Sequence, residues 1–256
     1  MKSHMLRTAF VAAFFGLAGH APAGASEIKV LTAGAFKQVV LALVPDFQKQ
    51  TGHKIIVENG TTGELQKRID GGEAFDVVVI TPAVVDAYIA NGKVARGSKV
   101  MLASVGVGVV VKEGAPKPDI STVEAFKNAL LNAKSVAYID PASGGSSGIY
   151  VDRLLVKLGI ADQIKPKAKL KQGGYVAELI ASGEAELGIH QISEIVPVKG
   201  VTLVGPLPKE IQNTTTYAAG LNASTMDKEG ADKLIKYLSG PDAAAVLKTK
   251  GMDPAS

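Results

Sequence analysis

The 256-residue sequence contains no cysteine and no tryptophan. Without a thiol there is no disulfide framework, no thiolate zinc site, no iron–sulfur cluster and no cysteine nucleophile. Four histidines leave little material for a histidine-rich metal site. Net charge is also scarce: the formal value of +4 is too small to argue for nucleic acid. The chain has no G-x-S-x-G nucleophile turn, no P-loop and no H-E-x-x-H pair. The run Gly144-Gly145-Ser146-Ser147-Gly148 suggests a serine nucleophile only superficially, because no serine–histidine–acid order supports it. What is present is apolar. With 46% hydrophobic residues the chain is not a disordered one, and its length supports one large or two small domains with sizeable cores.

The N-terminus accounts for part of these totals. Lys2 and Arg7 precede a short apolar run, Ala9–Leu17, and Ala23-Gly24-Ala25 gives the small-x-small pattern of a cleavage site. Residues 1–25 therefore read as a secretory signal peptide cut before Ser26, the run being too short to span a bilayer. Cleavage removes two cations, lowering the net charge from +4 to +2, and leaves His53 and His190 as the histidines of the mature chain. Export to the periplasm as a soluble protein without a membrane anchor is expected, and the lack of thiols fits that compartment. No metal and no cofactor are expected.

The mature chain reads as alternating strands and helices. Ile28–Thr32 and Lys54–Glu58 are expected strands, and Phe75–Ile80 a third, with helices over Phe36–Gln50, Leu65–Asp70 and Val84–Asn91. The βαβαβα order predicts an α/β fold with a mostly parallel sheet covered by helices on both faces. Val100–Val111 reads as long strand structure. A second α/β unit follows, with helices over Thr122–Leu131, Ile149–Leu158 and Tyr175–Ser182 and strands over Ser135–Ile139 and Glu186–His190. Gly205-Pro206-Leu207-Pro208 reads as a crossover, and two helices lie between Asp227 and Lys250.

Four strand-to-helix junctions are rich in Gly, Ser and Thr: residues 32–36, 60–63, 143–148 and 172–175. Open α/β sheets bind ligands at such junctions, where helix N-termini expose unpaired N–H groups. A single junction of this kind is ordinary capping. Four in one chain point to a site for an oxyanion or carboxylate.

These blocks carry a family resemblance. The turn Thr32-Ala33-Gly34-Ala35-Phe36 is followed by GTTGELQKRIDGGEAFDVVVITP at 60–82, DPASGGSSGIYVDRLLVKLGI at 140–160, ASGEAELGIH at 181–190 and YLSGPDAAAVLKTKGM at 237–252. In order and spacing they resemble the periplasmic molybdate-binding protein family. The resemblance implies the type II periplasmic binding protein fold, with two α/β lobes and a ligand cleft between them. Lobe 1 would be 26–105 plus 206–256, and lobe 2 would be 106–205. It also implies a small anionic ligand, a monomer, and a membrane permease of the ABC type as partner.

Residue by residue, the family's first-turn serine falls at Ala35 and its second serine at Thr62. Its backbone donors fall at Ser147 and near Gly173, and its tyrosine is replaced by Gln191. One hydroxyl and one phenol are missing, so the resemblance points to an anion other than molybdate. The expected binding set is Gly34, Ala35, Phe36, Thr61, Thr62, Ser146, Ser147, Gly173, Gly174, Tyr175, His190 and Gln191. Ser143 is a further candidate donor. Of the cations on the helices after these junctions, Lys37, Lys67, Arg68 and Arg153, Lys37 is placed to reach a ligand, whereas Arg68 and Arg153 are expected on solvated faces. Tyr150 and Tyr217 are weighed equally as cleft lining and as core, and His53 is expected to be exposed in a polar turn.

Two functions follow from this set. One is a solute receptor that hands a small oxyanion or organic acid anion to an importer. The other is an enzyme on the same scaffold, since bacterial aconitate isomerase is similar to this family and needs no cofactor. In that case His190, at a strand end, is the expected catalytic acid or base.

Overall fold

The computed structural model describes residues 26–255. The segment read as a signal peptide, residues 1–25, lies outside the described residues. Among those described, no helix is long and apolar enough to cross a membrane.

The chain begins with β1 (Glu27–Ala33), α1 (Gly34–Thr51), β2 (Lys54–Gly60), α2 (Thr62–Asp70), β3 (Val77–Ile80) and α3 (Pro82–Ala90). It continues through β4 (Val100–Lys112), α4 (Val123–Asn132), β5 (Val136–Ile139), α5 (Ser146–Lys157), α6 (Ala161–Ile164), β6 (Ala168–Lys171) and α7 (Ala177–Ala181). It ends with β7 (Leu187–Gln191), α8 (Ile192–Ile195), β8 (Val201–Pro206), β9 (Thr214–Leu221), α9 (Lys228–Leu238), α10 (Pro241–Thr249) and β10 (Asp253–Pro254).

Local chemistry explains the main elements. In α1 the buried residues Phe36, Val39, Val40, Leu43 and Phe47 recur at three- and four-residue spacing, giving one apolar stripe. The helix ends where Gly52 takes a left-handed conformation at φ 78°, which costs glycine nothing. The strand β3 is Val-Val-Val-Ile, buried throughout, as a strand covered on both faces must be. Pro82 and Pro241 open their helices, where the missing N–H is no loss.

The sheet runs β2-β1-β3-β9-β4-β7-β5-β6, with β8 and β10 also paired to β4. The helix-bearing groups at either end are parallel: β1 with β2 and β3, and β5 with β6 and β7. Strand β4 joins them. Its first half, Val100–Gly106, pairs antiparallel with β9, and its second half, Val107–Lys112, pairs antiparallel with β7 and β8. At the change of partners, the Gln212 side chain bonds both backbone groups of Val107, at 2.9 Å each. An amide side chain thus stands in for a neighbouring strand there.

Hydrophobic cores lie on both faces of each half of the sheet. In the first half, Ile28 and Val30 pack under α1, α9 and α10, while Leu31 packs with Leu65, Val78 and Ile80 on the other face. In the second half, Val136 and Tyr138 pack with α4 and α5, while Ala137 and Ile139 pack with Val176 and Ile180.

Four strands go beyond the expected set: β6, β8, β9 and the two-residue β10. β6 (AKLK), β8 and the threonine-rich start of β9 lack the continuous apolar pattern that marks the others. The helix expected over Tyr175–Ser182 shortens to Ala177–Ala181. His53 also departs from expectation. Its side chain is only 16% exposed, lying 3.4 Å from Asp227 Oδ2 and 3.1 Å from Ser26 Oγ, with its ring stacked on Phe47. The expected solvated cation Arg68 is likewise half-buried, bonded to Glu58 and Glu73 beside Lys29. Bonds from Arg68 and Lys29 hold the Glu73 carboxyl down at about 2.

Candidate functional site

The C-terminal ends of β1, β2, β5 and β7 face one another across the middle of the molecule. From them start α1, α2, α5 and α8. The first three are 18, 9 and 12 residues long, and their opening residues Gly34, Thr62 and Ser146 line one cavity. Three helix N-termini thus turn their positive dipole ends to the same space, with the Gly63 and Glu64 N–H groups of α2 already paired to Gly144 O and Thr61 Oγ1. The cavity is small, about 30 Å³. On this measure a single water needs about 10–15 Å³.

Nine of the expected binding residues line it: Gly34, Ala35, Thr61, Thr62, Ser146, Ser147, Gly174, His190 and Gln191. Three do not. Phe36 is fully buried in the core beneath α1. Gly173 stands just outside, where an added Cβ would come 3.7 Å from Thr61 Cγ2. Tyr175 instead accepts a 2.6 Å hydrogen bond from Gln38 on α1, joining the two halves near the cavity. Lys37, Lys67, Arg68 and Arg153 are absent from the lining, as is Tyr150, whose hydroxyl bonds the Ile211 carbonyl. Ser143 is also absent, its hydroxyl donating to Asp140 O at 2.8 Å.

The donors differ in availability. Thr61 caps α2 by accepting from Glu64 N at 3.1 Å, and its hydroxyl donates to Ser143 O at 2.5 Å. It therefore closes the cleft instead of serving a ligand. Thr62 Oγ1, His190 Nδ1 and Gln191 Nε2 are buried without a hydrogen-bond partner. A buried unpaired polar atom costs about 1–3 kcal/mol. Three around one cavity form a set that a polar ligand would complete.

Two lining residues give the site its acid–base chemistry. His190 is 1% exposed at the end of β7, and its Nε2 lies 3.3 Å from Glu194 Oε2 on α8. That separation suits an ion pair, but burial opposes both charges. Desolvation, with the positive charge of Lys171 added, pushes the imidazole well below its usual range, and desolvation pushes the Glu194 carboxyl well above its own. The pair is a neutral imidazole beside a carboxylic acid. The carboxyl lies over Gly34, where a Cβ would stand 2.5 Å from Glu194 Oε1. Gly34 is needed there because any side chain would displace the acid.

Tyr217 also lines the cavity, and its hydroxyl donates to Gln191 Oε1 at 2.9 Å. Burial, reinforced by Glu194, raises the phenol far above its ordinary value, so it stays protonated. Its bond to Oε1 leaves Gln191 Nε2 free for a ligand. The cavity lining carries no lysine and no arginine. Among the described residues no group of three His, Cys, Asp or Glu side chains is placed to hold a metal ion.

Sequence reasoning missed Glu194. A carboxylate three residues past a strand end, in Ile-Ser-Glu-Ile, has the pattern of a surface turn. No local signal marks it, because the i, i+4 rule holds within a helix and His190 lies on β7.

The comparisons with known proteins agree with this architecture. Residues 28–253 match the family described as bacterial extracellular solute-binding protein. An aconitate isomerase from a Pseudomonas species is 33% identical over 235 residues, spanning 90% of this chain and 88% of that one. The molybdate-binding protein ModA of Azotobacter vinelandii is 29% identical over 245 residues, with 90% of each chain covered. The solved periplasmic molybdate-binding protein of the same organism superimposes with a TM-score of 0.76 at 22% identity, over 90% of this chain and all of that one. With its two helix-covered sheet halves around a polar cavity, the chain belongs to the bacterial extracellular solute-binding protein family.

Proposed function

We propose that the chain is an exported receptor whose cleft captures a small organic acid anion and delivers it to an importer of the ABC type. The lobes are 26–105 with 206–256, and 106–205, and export removes residues 1–25. The observation that carries the reading is the set of unpartnered buried atoms, Thr62 Oγ1, His190 Nδ1 and Gln191 Nε2, around a cavity without a cation. Uncharged donors and helix N-termini favour a compact anion held by hydrogen bonds. Ala35 and Gln191 stand where the molybdate-binding pattern has a hydroxyl and a phenol, so the ligand is not molybdate.

A second reading is turnover of the anion. The proximity of His190 to Glu194 favours it, as does the similarity to the Pseudomonas aconitate isomerase. Thermal unfolding with cis-aconitate, trans-aconitate, molybdate or tungstate tests both. An aconitate isomer is expected to raise Tm in proportion to RT ln(1 + [L]/Kd), about 2.7 kcal/mol at a hundredfold excess over Kd. Stabilisation by micromolar molybdate would sink the organic acid reading. Conversion of one aconitate isomer into the other would favour the enzyme over the receptor.

Closure of the cleft supplies a further prediction. Gly63 N donates to Gly144 O at 3.2 Å, and the two glycines touch so closely that a Cβ on Gly63 would stand 2.8 Å from Gly144 Cα. Gly63→Ala is expected to hold the halves apart. Calorimetric affinity for the stabilising aconitate isomer should fall about tenfold, while the ligand-free Tm moves by about 2 °C at most. Unchanged affinity would mean that this contact plays no part in the bound state.

A further inference from the structure

We infer that His190 and Glu194 are a bifunctional proton-transfer pair, moving a proton between two carbons of an unsaturated carboxylate bound in the cleft. The inference rests on the second reading above and deepens it.

Interchanging cis and trans forms across a carbon–carbon double bond requires that bond to be broken for a moment. One route adds a thiolate to the alkene and rotates the resulting single bond. The chain has no cysteine, so this route is closed to its side chains. The other route shifts a proton from an adjacent methylene to the far alkene carbon, which moves the double bond by one position. It needs a group facing the ligand that takes the methylene proton, and either that group or a second one to deliver a proton to the far carbon.

The cavity has one such pair. His190 and Glu194 both line it, they meet through Nε2 and Oε2 at 3.3 Å, and each keeps a second polar atom beyond that contact. On the histidine this is Nδ1, buried and unpartnered. On the glutamate it is Oε1, lying against Gly34 at the start of α1. In the neutral pair the Glu194 O–H faces Nε2, and the proton of the imidazole sits on Nδ1.

The step balances. The alkene electron pair forms a new C–H bond with the proton of Nδ1. The Glu194 proton on Oε2 passes to Nε2. Oε1 takes a proton from the methylene, and that C–H electron pair becomes the new double bond. No net charge builds up on the protein. The pair ends in its other tautomer, with hydrogen on Nε2 and Oε1, ready for the reverse step or for exchange with water. Burial suits such a neutral relay, because a pair that ionised would have to sustain two charges out of solvent.

The surrounding groups leave this role open. Tyr217 on β9 donates to Gln191. Tyr175, before α7, is bonded by Gln38. Lys171 on β6 pairs with Glu178 at 3.2 Å and disfavours a protonated imidazole. Carboxylates of the substrate would rest on the N-termini of α1 and α5.

The test is incubation of the wild-type protein with cis-aconitate in D₂O, followed by NMR. Formation of the trans isomer carrying solvent deuterium on the newly protonated carbon is expected. Glu194→Gln keeps the shape of the acid but cannot exchange its proton, so turnover should fall at least about 100-fold. The Tm rise with cis-aconitate should persist in that variant. A Tm rise in the wild type with no isomer formed and no deuterium taken up overturns the pair and leaves the receptor reading standing. So does turnover in Glu194→Gln within tenfold of wild type. No Tm rise with either aconitate isomer removes the ligand reading and the inference together. If Glu194→Gln fails to fold, the wild-type deuterium experiment decides alone.

Discussion

Replacing Gly148 by alanine is expected to destabilise the protein by about 2–3 kcal/mol, lowering Tm by about 5–10 °C for a chain of this size. Gly148 lies in the first turn of α5, where a Cβ would stand 2.2 Å from Ile139 O and 2.8 Å from Ile139 C. Both are backbone atoms at the end of β5, so no rotamer change can relieve the clash. Nor can β5 move aside, because Val136 and Ala137 pair with β7, and Ile139 pairs with Lys171 of β6. The helix itself must retreat. It would carry Ser146 and Ser147 with it, and these line the cavity. Loss of stability should therefore come with loss of ligand binding. Gly173→Ala is the control. Its Cβ would meet only Thr61 Cγ2, at an ordinary 3.7 Å. Calorimetric unfolding should place Gly173→Ala within about 2 °C of wild type. Equal Tm values for the two variants would refute the packing argument.

Gly148 shows how the fold could be seen in the sequence while its reason could not. The junction at residues 143–148 was visible as a glycine- and serine-rich break between an apolar strand and a helix. That some of its glycines are needed for close approach to Ile139 depends on how α5 lies on β5, a tertiary fact. The same division holds elsewhere. β1, β3 and β5 were legible because strands buried on both faces must be almost wholly apolar. β9 was not, since it opens with Thr214-Thr215-Thr216 and owes its place to pairing with β3 and β4 on either side. β6 is short and carries Lys169 and Lys171, a composition common at sheet edges, where positive charge discourages further pairing.

The site divides in the same way. Thr62, Ser146, Ser147, His190 and Gln191 could be proposed because helix starts and strand ends are local features. Thr61 was proposed as a donor, but its hydroxyl is committed to Glu64 N and Ser143 O, which only the closed arrangement reveals. Glu194 was invisible for a stronger reason. An acidic side chain reads as exposed unless something covers it, and its cover comes from Gly34, 160 positions earlier in the chain. Burial without a cationic partner then changes what the residue is chemically. At the surface it would be a carboxylate that repels anions. Here it is an acid that holds a proton.

That proton makes stability depend on pH in a direction opposite to that of an ordinary paired carboxylate. Burial raises the Glu194 carboxyl to about 8 in the folded chain, from its ordinary value of 4.5. Between those values the folded state holds a proton that the unfolded chain has released, so stability falls as pH rises through the window. Glu194→Gln removes this term while keeping the side chain's shape. The Tm of the variant relative to wild type is therefore expected to increase from pH 5 to about pH 8 and to level off by pH 9. Each unit of displacement corresponds to about 1.4 kcal/mol, so the relative gain reaches a few kcal/mol, or roughly 5 °C or more. His190 acts on the acid side. Its depressed value makes wild type and variant alike lose stability below about pH 6.5, where the unfolded imidazole takes up a proton. Comparing the two proteins at each pH cancels that common loss and isolates the carboxyl. A Tm difference that stays flat from pH 5 to pH 9 would mean that Glu194 is ionised when folded, paired with a charged His190. The neutral relay would then have no proton to give.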